Sequence, residues 1–288
     1  MASSKPTEKI QSSRGELFLV ATPIGHLKDI TLRALEVLQS VDRIACEDTR
    51  TSGVLLKHYG IKVPLTAYHT HNEAQSADHL VAQLVAGARI ALISDAGTPL
   101  LSDPGARLVE AAVAAGIRVT PIPGASALLS AITIAGLPAG QFFYAGFLPT
   151  KTGARAAALT QLITIPATLV FYEAPHRLVA TLNHLAEIYG PRDAAVAREL
   201  TKMHEECIRA PLPELAAHYE AKPPKGECVI VVAGAPAAAA MDDAAIDAAL
   251  QIALRTLHVN DAAAMVAKDS GRAKRDVYAR ALALKEKA

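Results

Sequence analysis

Residues 89–130 read RIALISDAGTPLLSDPGARLVEAAVAAGIRVTPIPGASALLS, and the order of patterns within them decides the fold. Arg89–Ser94 is a short apolar run, the signature of a strand buried on both faces. It runs into a turn-rich stretch, Ser94–Gly105, whose glycines and prolines rule out a regular element. Ala106–Ala115 carries apolar residues at helical spacing and stops at Gly116. Arg118–Ile122 is strand-like again, Pro123 and Gly124 break it, and Ala125–Ala135 reads as a helix ended by Gly136. Strand, loop, helix, repeated, predicts βαβ units and so a parallel sheet covered by helices. Such sheets bind ligands at the carboxyl ends of their strands, which is where these loops fall.

The alternation extends in both directions. Upstream, Leu17–Ala21 and Arg43–Cys46 read as strands. Helices are predicted over Ile30–Gln39 with Asp29 as its cap, over Thr51–Tyr59 and over Asn72–Ala86. Downstream, Gly136–Gly153 mixes strand and loop, and the boundary between two α/β domains, 15–138 and 139–234, is placed there. In the second domain Ala167–Glu173, Ala194–Glu199, Glu205–Arg209 and Glu227–Ala233 read as strands, and Pro175–Tyr189 as a helix with proline in its first turn. Little helix is expected between the last two strands, so this sheet is predicted to be mixed or antiparallel. Residues 235–288 read as an Ala-rich linker and three helices, Asp243–Leu257, Asp261–Lys268 and Arg272–Lys285. The fold class is therefore α/β, with a mostly parallel N-terminal sheet, a mixed second sheet and a small C-terminal helical appendage.

Composition narrows the function. The chain has 288 residues, 51% hydrophobic and 20% charged, enough apolar surface for packed cores. A net charge of +1 excludes wholesale phosphate neutralisation, so any contact with nucleic acid must be local. Residues 255–288 hold eight basic residues (Arg255, Lys268, Arg272, Lys274, Arg275, Arg280, Lys285, Lys287) against four acids. By itself that pattern describes a solvated helical face. Cys46, Cys207 and Cys228 form no CxxC pair, which argues against a disulfide framework or a zinc ribbon and fits a reducing, cytoplasmic setting. Residues 1–14 are polar, read as a disordered tail, and lack the apolar stretch of a signal peptide. No apolar run is long enough to span a membrane.

Three loops follow strands and carry the strongest chemical signals: Thr22–Gly25, Ser94–Gly105 and Pro121–Ala127. Glycines there let backbone approach a ligand closely, and prolines hold the loop shape in advance. No GxxxxGK[ST] or GxGxxG occurs, which excludes a phosphate cradle or dinucleotide fingerprint of those kinds. No nucleophile elbow appears either. Glu47-Asp48-Thr49-Arg50 reads as a helix N-terminus with capping acids, or as an acid–base group. His69 and His71 suit polar surface or substrate contact better than a metal, for which no third ligand is near in sequence. Phe171–Arg177 and Arg198–Lys202 place acids and bases together at strand ends, as clefts do and cores do not.

In order, the motifs LFLVATPIGHLKDITLRAL, ACEDTRTSGVLLKHYGI, YHTHNE, LISDAGTPLLSDPG, PGASALLSAITIAGLP, FFYAGFLPTKTGAR, LVFYEAPHRL, ARELTKMHEE and KGECVIVVAG span roughly residues 16–234. This text resembles the small-subunit rRNA methyltransferase I family of the tetrapyrrole methylase superfamily. The resemblance implies a two-domain class III methyltransferase, usually a homodimer, with S-adenosylmethionine between its domains and the ribose 2′-oxygen of a cytidine in 16S rRNA as acceptor. It places Pro23, Asp95, Ala96, Gly97, Leu101, Ser102, Ser126, Ala127, Tyr172 and Leu200 at the cofactor. A sugar hydroxyl is a weak acid, so a base or a cation near the developing alkoxide would help. Glu47, Asp48 and Glu173 are the candidate bases. Arg50, Lys151, Arg177 and Lys202 are the candidate phosphate or alkoxide contacts. The expected partner is the assembled small ribosomal subunit, with the basic C-terminal helices as docking arm. A superfamily methyltransferase acting on a tetrapyrrole or protein side chain, and a non-catalytic ribosome-binding factor, remain alternatives at this point.

Overall fold

The computed structural model describes residues 15–70, 72–236 and 241–286. The expected disordered tail, His71 and the linker positions 237–240 lie outside the described residues. The contacts divide the chain at Ala233/Gly234 into two compact units.

In the first unit, strands β1 (Glu16–Val20), β2 (Arg43–Cys46), β3 (Leu65–Ala67), β4 (Arg89–Ile93) and β5 (Arg118–Ile122) form one sheet in the order β3-β2-β4-β1-β5. Every pairing in it is parallel. Alternation along the strands explains the double covering. Phe18, Val20, Ile44, Ala91 and Ile93 face α1 (Leu32–Ser40) and α2 (Thr49–His58). Leu17, Ala45, Ile90 and Leu92 face α3 (Glu73–Val85) and α4 (Ala106–Ala114). A period of two thus feeds two cores from one set of strands.

The second sheet has the order β6-β7-β10-β8-β9, from β6 (Phe142–Phe147), β7 (Thr168–Glu173), β8 (Asp193–Arg198), β9 (Glu206–Pro211) and β10 (Cys228–Val232). Only β6 and β7 pair in parallel, so the sheet is mixed. One face packs on α6 (Thr152–Leu162), α7 (Leu178–Tyr189) and α8 (Leu212–Ala221). The other packs on α5 (Ala127–Ile134), which leaves the first sheet at Ile122 and buries Leu128, Ala131 and Ile132 against Val170, Ala195, Ala197 and Val229. A helix started by a loop of the first sheet therefore covers the second, which brings the ends of both sheets together.

Several sequence expectations need correction. Asp29 does not cap α1; it ends a 3-10 turn, and Thr31 caps instead, its hydroxyl accepting from the Ala34 N–H at 3.1 Å. α8 lies between β9 and β10, where little helix was expected; Pro213 sits in its first turn, where proline is tolerated. Pro175–Arg177 forms a 3-10 turn ahead of α7 rather than the helix start. The short edge strand β3 and the Ala-rich α6 carry weak periodicity and are not anticipated from the sequence.

The second unit contains α9 (Asp243–Ala253), α10 (Val259–Ser270) and α11 (Lys274–Glu286). Ile246, Leu250, Ala263, Val266, Val277 and Ala281 form its own small core. No helix among the described residues is long and apolar enough to cross a membrane.

Candidate active site

The three strand-end loops are tied to one another by backbone. Thr22 and Gly97 exchange hydrogen bonds of 2.9 and 3.0 Å, linking the loops after β1 and β4. The Thr98 hydroxyl donates to the Ala125 carbonyl at 3.2 Å, linking the loops after β4 and β5. Gly97 needs its glycine: its φ is +81°, and a Cβ would stand 3.3 Å from Ile24 Cγ2. From the second sheet, the loop after β8 reaches the loop after β1. The His26 N–H donates to Thr201 Oγ1 at 3.0 Å, and a Cβ on Gly25 would lie 2.5 Å from Lys202 Cγ.

These loops enclose a cavity of about 290 Å³. Its apolar wall includes Ile24, Leu101, Ala127, Phe147, Tyr172, Leu200 and Val229. The ring of Tyr172 is packed edge-on by Tyr144 and Phe147, and its hydroxyl accepts from the Leu128 N–H at 3.1 Å, at the start of α5. Ser102 Oγ and the Tyr144 hydroxyl are 2.6 Å apart. Among the described residues the only non-glycine positions with positive φ are Leu100, Ser102, Glu199 and Thr201. All four sit in the two loops that border the cavity from opposite sheets. Such backbone costs about 1–3 kcal/mol per residue and gathers at functional sites.

The polar wall is acidic: Glu47, Asp95, Asp103, Glu173, Glu199 and Glu227 line the cavity, with Lys202 as a cation. Their partners differ. Glu199 is paired with Lys202 at 2.9 Å. Asp95 Oδ1 accepts the Asp48 N–H at 3.2 Å. Glu173 is buried and saturated: it accepts from the Ala174 N–H at 2.9 Å and the Thr181 hydroxyl at 2.7 Å, and faces Arg177 Nε at 3.2 Å. Burial, then the nearby Asp95 charge, pushes Glu47 above the ordinary carboxylate range. Burial first, then Glu47, holds Asp103 up at about 6. Among the described residues no cluster of three or more His, Cys, Asp or Glu is placed to hold a metal.

Of the residues named from the sequence, Asp95, Ala96, Gly97, Leu101, Ser102, Ser126, Ala127, Tyr172 and Leu200 line the cavity, as do Glu47, Glu173 and Lys202. Pro23 is buried in the loop beside it. Asp48, Arg50, Lys151 and Arg177 lie outside the lining. Asp48 caps α2, its carboxylate accepting from the Arg50 N–H at 2.8 Å and pairing with the Arg50 guanidinium at 2.7 Å. Those bonds hold it down at about 2, which makes it a poor base. Lys151 is exposed at the N-terminus of α6. Arg177 is turned inward, donating to the Leu148 carbonyl at 2.6 Å, so it holds a loop rather than facing a phosphate. Sequence reasoning passed over Asp103, Glu227 and Cys228. Asp103 was visible only as the acid of a second turn eight residues after Asp95, a position that means nothing until the loop folds back.

The pattern that defines the Tetrapyrrole (Corrin/Porphyrin) Methylases matches residues 16–216, and that of the RsmI C-terminal HTH domain matches residues 240–285. Among solved structures, the uroporphyrin-III-C-methyltransferase of Thermus thermophilus superposes with a TM-score of 0.56 at 24% identity, covering 76% of this chain and 94% of that one. Diphthine synthase superposes with a TM-score of 0.57 at 14% identity, covering 76% and 90%. Those likenesses concern the fold, and the fold and cleft together define the tetrapyrrole methylase class. Two curated relatives are similar over nearly their whole length, and both are named ribosomal RNA small subunit methyltransferase I. That of Mesorhizobium japonicum is 51% identical, covering 94% of this chain and 92% of its own, and that of Escherichia coli O157:H7 is 46% identical, covering 96% and 98%. The chain belongs to the ribosomal RNA small subunit methyltransferase I family of the tetrapyrrole methylases.

Proposed function

We propose that this chain methylates the ribose 2′-oxygen of a cytidine in 16S rRNA, using S-adenosylmethionine, within the assembled small ribosomal subunit. The observation that carries the reading is the convergence of three strand-end loops and the loop after β8 on one cavity with an apolar wall and an acidic wall. That pairing suits an adenosyl sulfonium. The apolar side accepts a purine, and Glu47, Asp95 and Asp103 complement a positive charge in a place partly shielded from water. The names of the relatives support rRNA as the acceptor. The uroporphyrin-III C-methyltransferase of Thermus thermophilus complexed with S-adenosylhomocysteine shares the fold at a TM-score of 0.55 and 19% identity.

On this reading the backbone of Asp95–Gly97, Ser126–Ala127 and Leu200 holds the cofactor, with Leu101, Ser102 and Tyr172 against it and Pro23 stiffening the first loop. Bound there, the cofactor supplies a methyl group on a positively charged sulfur, so the leaving group needs no further activation. The chain's work is alignment and exclusion of water, effects worth about 7–11 kcal/mol in favourable cases. Lys202 stands at the rim, the exposed Lys151 is available to phosphates, and the exposed Arg50 could reach one only by sharing its guanidinium with Asp48. The open edge strand β6, with Phe142 42% and Phe143 41% exposed, supports association as a homodimer. On this reading the protein works in the cytoplasm, where its ribosomal acceptor is.

Calorimetry with S-adenosylmethionine, ATP and NAD tests the cofactor, and only the first is expected to bind. Methyl incorporation is then compared between assembled small subunits and naked rRNA. Faster transfer to the subunit is expected; equal rates would overturn that part, and no 2′-O-methyl product on RNA would overturn the acceptor.

A further inference from the structure

The geometry points to a second binding site, inside the C-terminal unit, that takes one unpaired nucleotide of the RNA acceptor. The inference rests on the proposed rRNA substrate and adds to it a pocket that shares no residue with the cavity described above.

The chain builds this pocket at a corner. After α9 the backbone tightens: the Arg255 N–H donates to the Ile252 carbonyl at 3.2 Å, and the Thr256 and Leu257 N–H groups reach the Ala253 carbonyl at 3.2 and 2.9 Å. That turn leads into α10 at His258, and the last turn of α11 completes the corner with Leu284 and Lys285. A cavity of about 280 Å³ results. Its floor is aliphatic: Leu254, Val259 and Leu284 are the half-buried edge of the unit's core, and Leu257, 39% exposed, extends it. Its rim is basic, formed by the exposed Arg255, His258 and Lys285, and among the described residues no acid lines it.

The unit's arginines set this corner apart from an ordinary solvated surface. Arg272 meets Asp243, Arg275 meets Asp276, and Arg280 meets Asp243 and Asp247. Among the described residues neither Arg255 nor His258 nor Lys285 has an acid within ion-pair distance. Two cations and an imidazole around one cavity, with no counter-charge, favour an anion there. The His258 side chain makes no capping bond to α10, so the N–H groups that open the helix add to that preference.

The floor decides which anion. Inorganic phosphate gains nothing from four aliphatic side chains, whereas a nucleotide lays the face of its base on them and leaves its phosphate at the basic rim. Gln251, also in the lining, supplies an amide that both donates to and accepts from a base edge. A paired strand keeps its bases stacked inside the helix and offers only phosphates, so the nucleotide is an unpaired one. Ligand cavities begin at about 300 Å³, and this one has room for a single nucleotide.

Fluorescence anisotropy of end-labelled hexacytidylate with the full chain tests this, in wild type, Arg255→Ala, Lys285→Gln and Leu257→Ser. All three side chains are exposed, and the melting temperature of each variant checks that the fold is kept. Arg255→Ala should bind about tenfold more weakly, with the slope of log affinity on log salt reduced by about 0.7. Lys285→Gln, which alters the rim from α11, should repeat the loss of slope. Leu257→Ser should bind about fivefold more weakly at an unchanged slope, because it removes apolar area and no charge. Affinity for S-adenosylmethionine should not change in any of them. Wild-type binding by Leu257→Ser or by Arg255→Ala would overturn the inference. So would equal competition from an RNA duplex or from polyglutamate of the same charge, since the corner would then be a charged face without a nucleotide pocket. A wild-type protein that transfers no methyl group to rRNA would instead overturn the acceptor reading. Transfer to rRNA, with oligonucleotide binding unaltered in all three variants, would overturn the pocket alone.

Discussion

Arg177 Nε stands 3.2 Å from Oε1 of Glu173, whose side chain is wholly buried, while the same guanidinium donates to the carbonyls of Leu148 and Pro149. The pair therefore joins the end of β7 to the loop that leads into α6 and carries Lys151. Removing the arginine strands a buried carboxylate, which costs about 3–5 kcal/mol in comparable pairs. Arg177→Met should thus melt well below wild type, and the double variant Glu173→Gln/Arg177→Met should recover most of that stability. Thermal denaturation of the three proteins measures it. A single variant as stable as wild type would show the pair to be dispensable.

Gly97→Ala tests the backbone half of the site. An L-residue at φ +81° is strained by about 1–2 kcal/mol. Its Cβ would also press on Ile24, which lines the cavity. Calorimetry should report S-adenosylmethionine bound about tenfold more weakly, the equivalent of about 1.4 kcal/mol. Unchanged affinity would mean that this loop does not face the cofactor.

Apart from the edge strand β3, the first sheet was legible in the sequence because parallel strands buried on both faces are short apolar runs, and Gly60, Gly87, Gly116 and Gly136 punctuate the helices after them. The second sheet was less so. α8 begins with Leu212-Pro213, which in sequence looks like a break, and α6 is mostly alanine, glycine and threonine. The loops of the site could be found because glycine and proline mark them. What each acid does could not be read, since Asp48, Asp95, Asp103 and Glu173 are the same chemistry in sequence. Only their partners separate a cap, a loop tie, a buried ion pair and a carboxylate that meets the Ser94 hydroxyl in the cavity wall. The positive φ of Ser102 and Thr201 has no residue signature either.

Cys228 lines the cavity yet should be inert. Burial pushes its thiol up to about 12, and the carboxylates Glu173, Glu199 and Glu227 oppose a further negative charge. At pH 8 almost none of it is thiolate. Iodoacetamide should therefore leave Cys228 unmodified in the native protein and label it readily in denaturant, as read by peptide mass spectrometry. Rapid labelling of the folded chain would show the site to be more open and more polar than described.

The C-terminal unit divides its cations between two tasks. Arg280 is held by Asp243 and Asp247, both at 2.8 Å, and Arg272 by Asp243 at 3.2 Å, so these two bind α9 to the rest of the unit. On α11, Lys274, Arg275, Tyr278, Leu282 and Lys285 form an exposed stripe that flanks the face holding the buried Val277 and Ala281 and the half-buried Leu284. Arg275 is 95% exposed, and Tyr278 supplies an exposed ring beside the lysines. Cations flanking an aromatic suit a phosphate backbone with an unstacked base. The variant Lys274→Glu/Arg275→Glu/Lys285→Glu should bind the small subunit more weakly. Its log affinity should depend less steeply on log salt, by about 0.7–0.9 for each phosphate that is no longer neutralised. Affinity for S-adenosylmethionine should not change. A salt slope identical to that of wild type would remove α11 from the docking surface and leave Lys202, Arg50 and Lys151 to carry it.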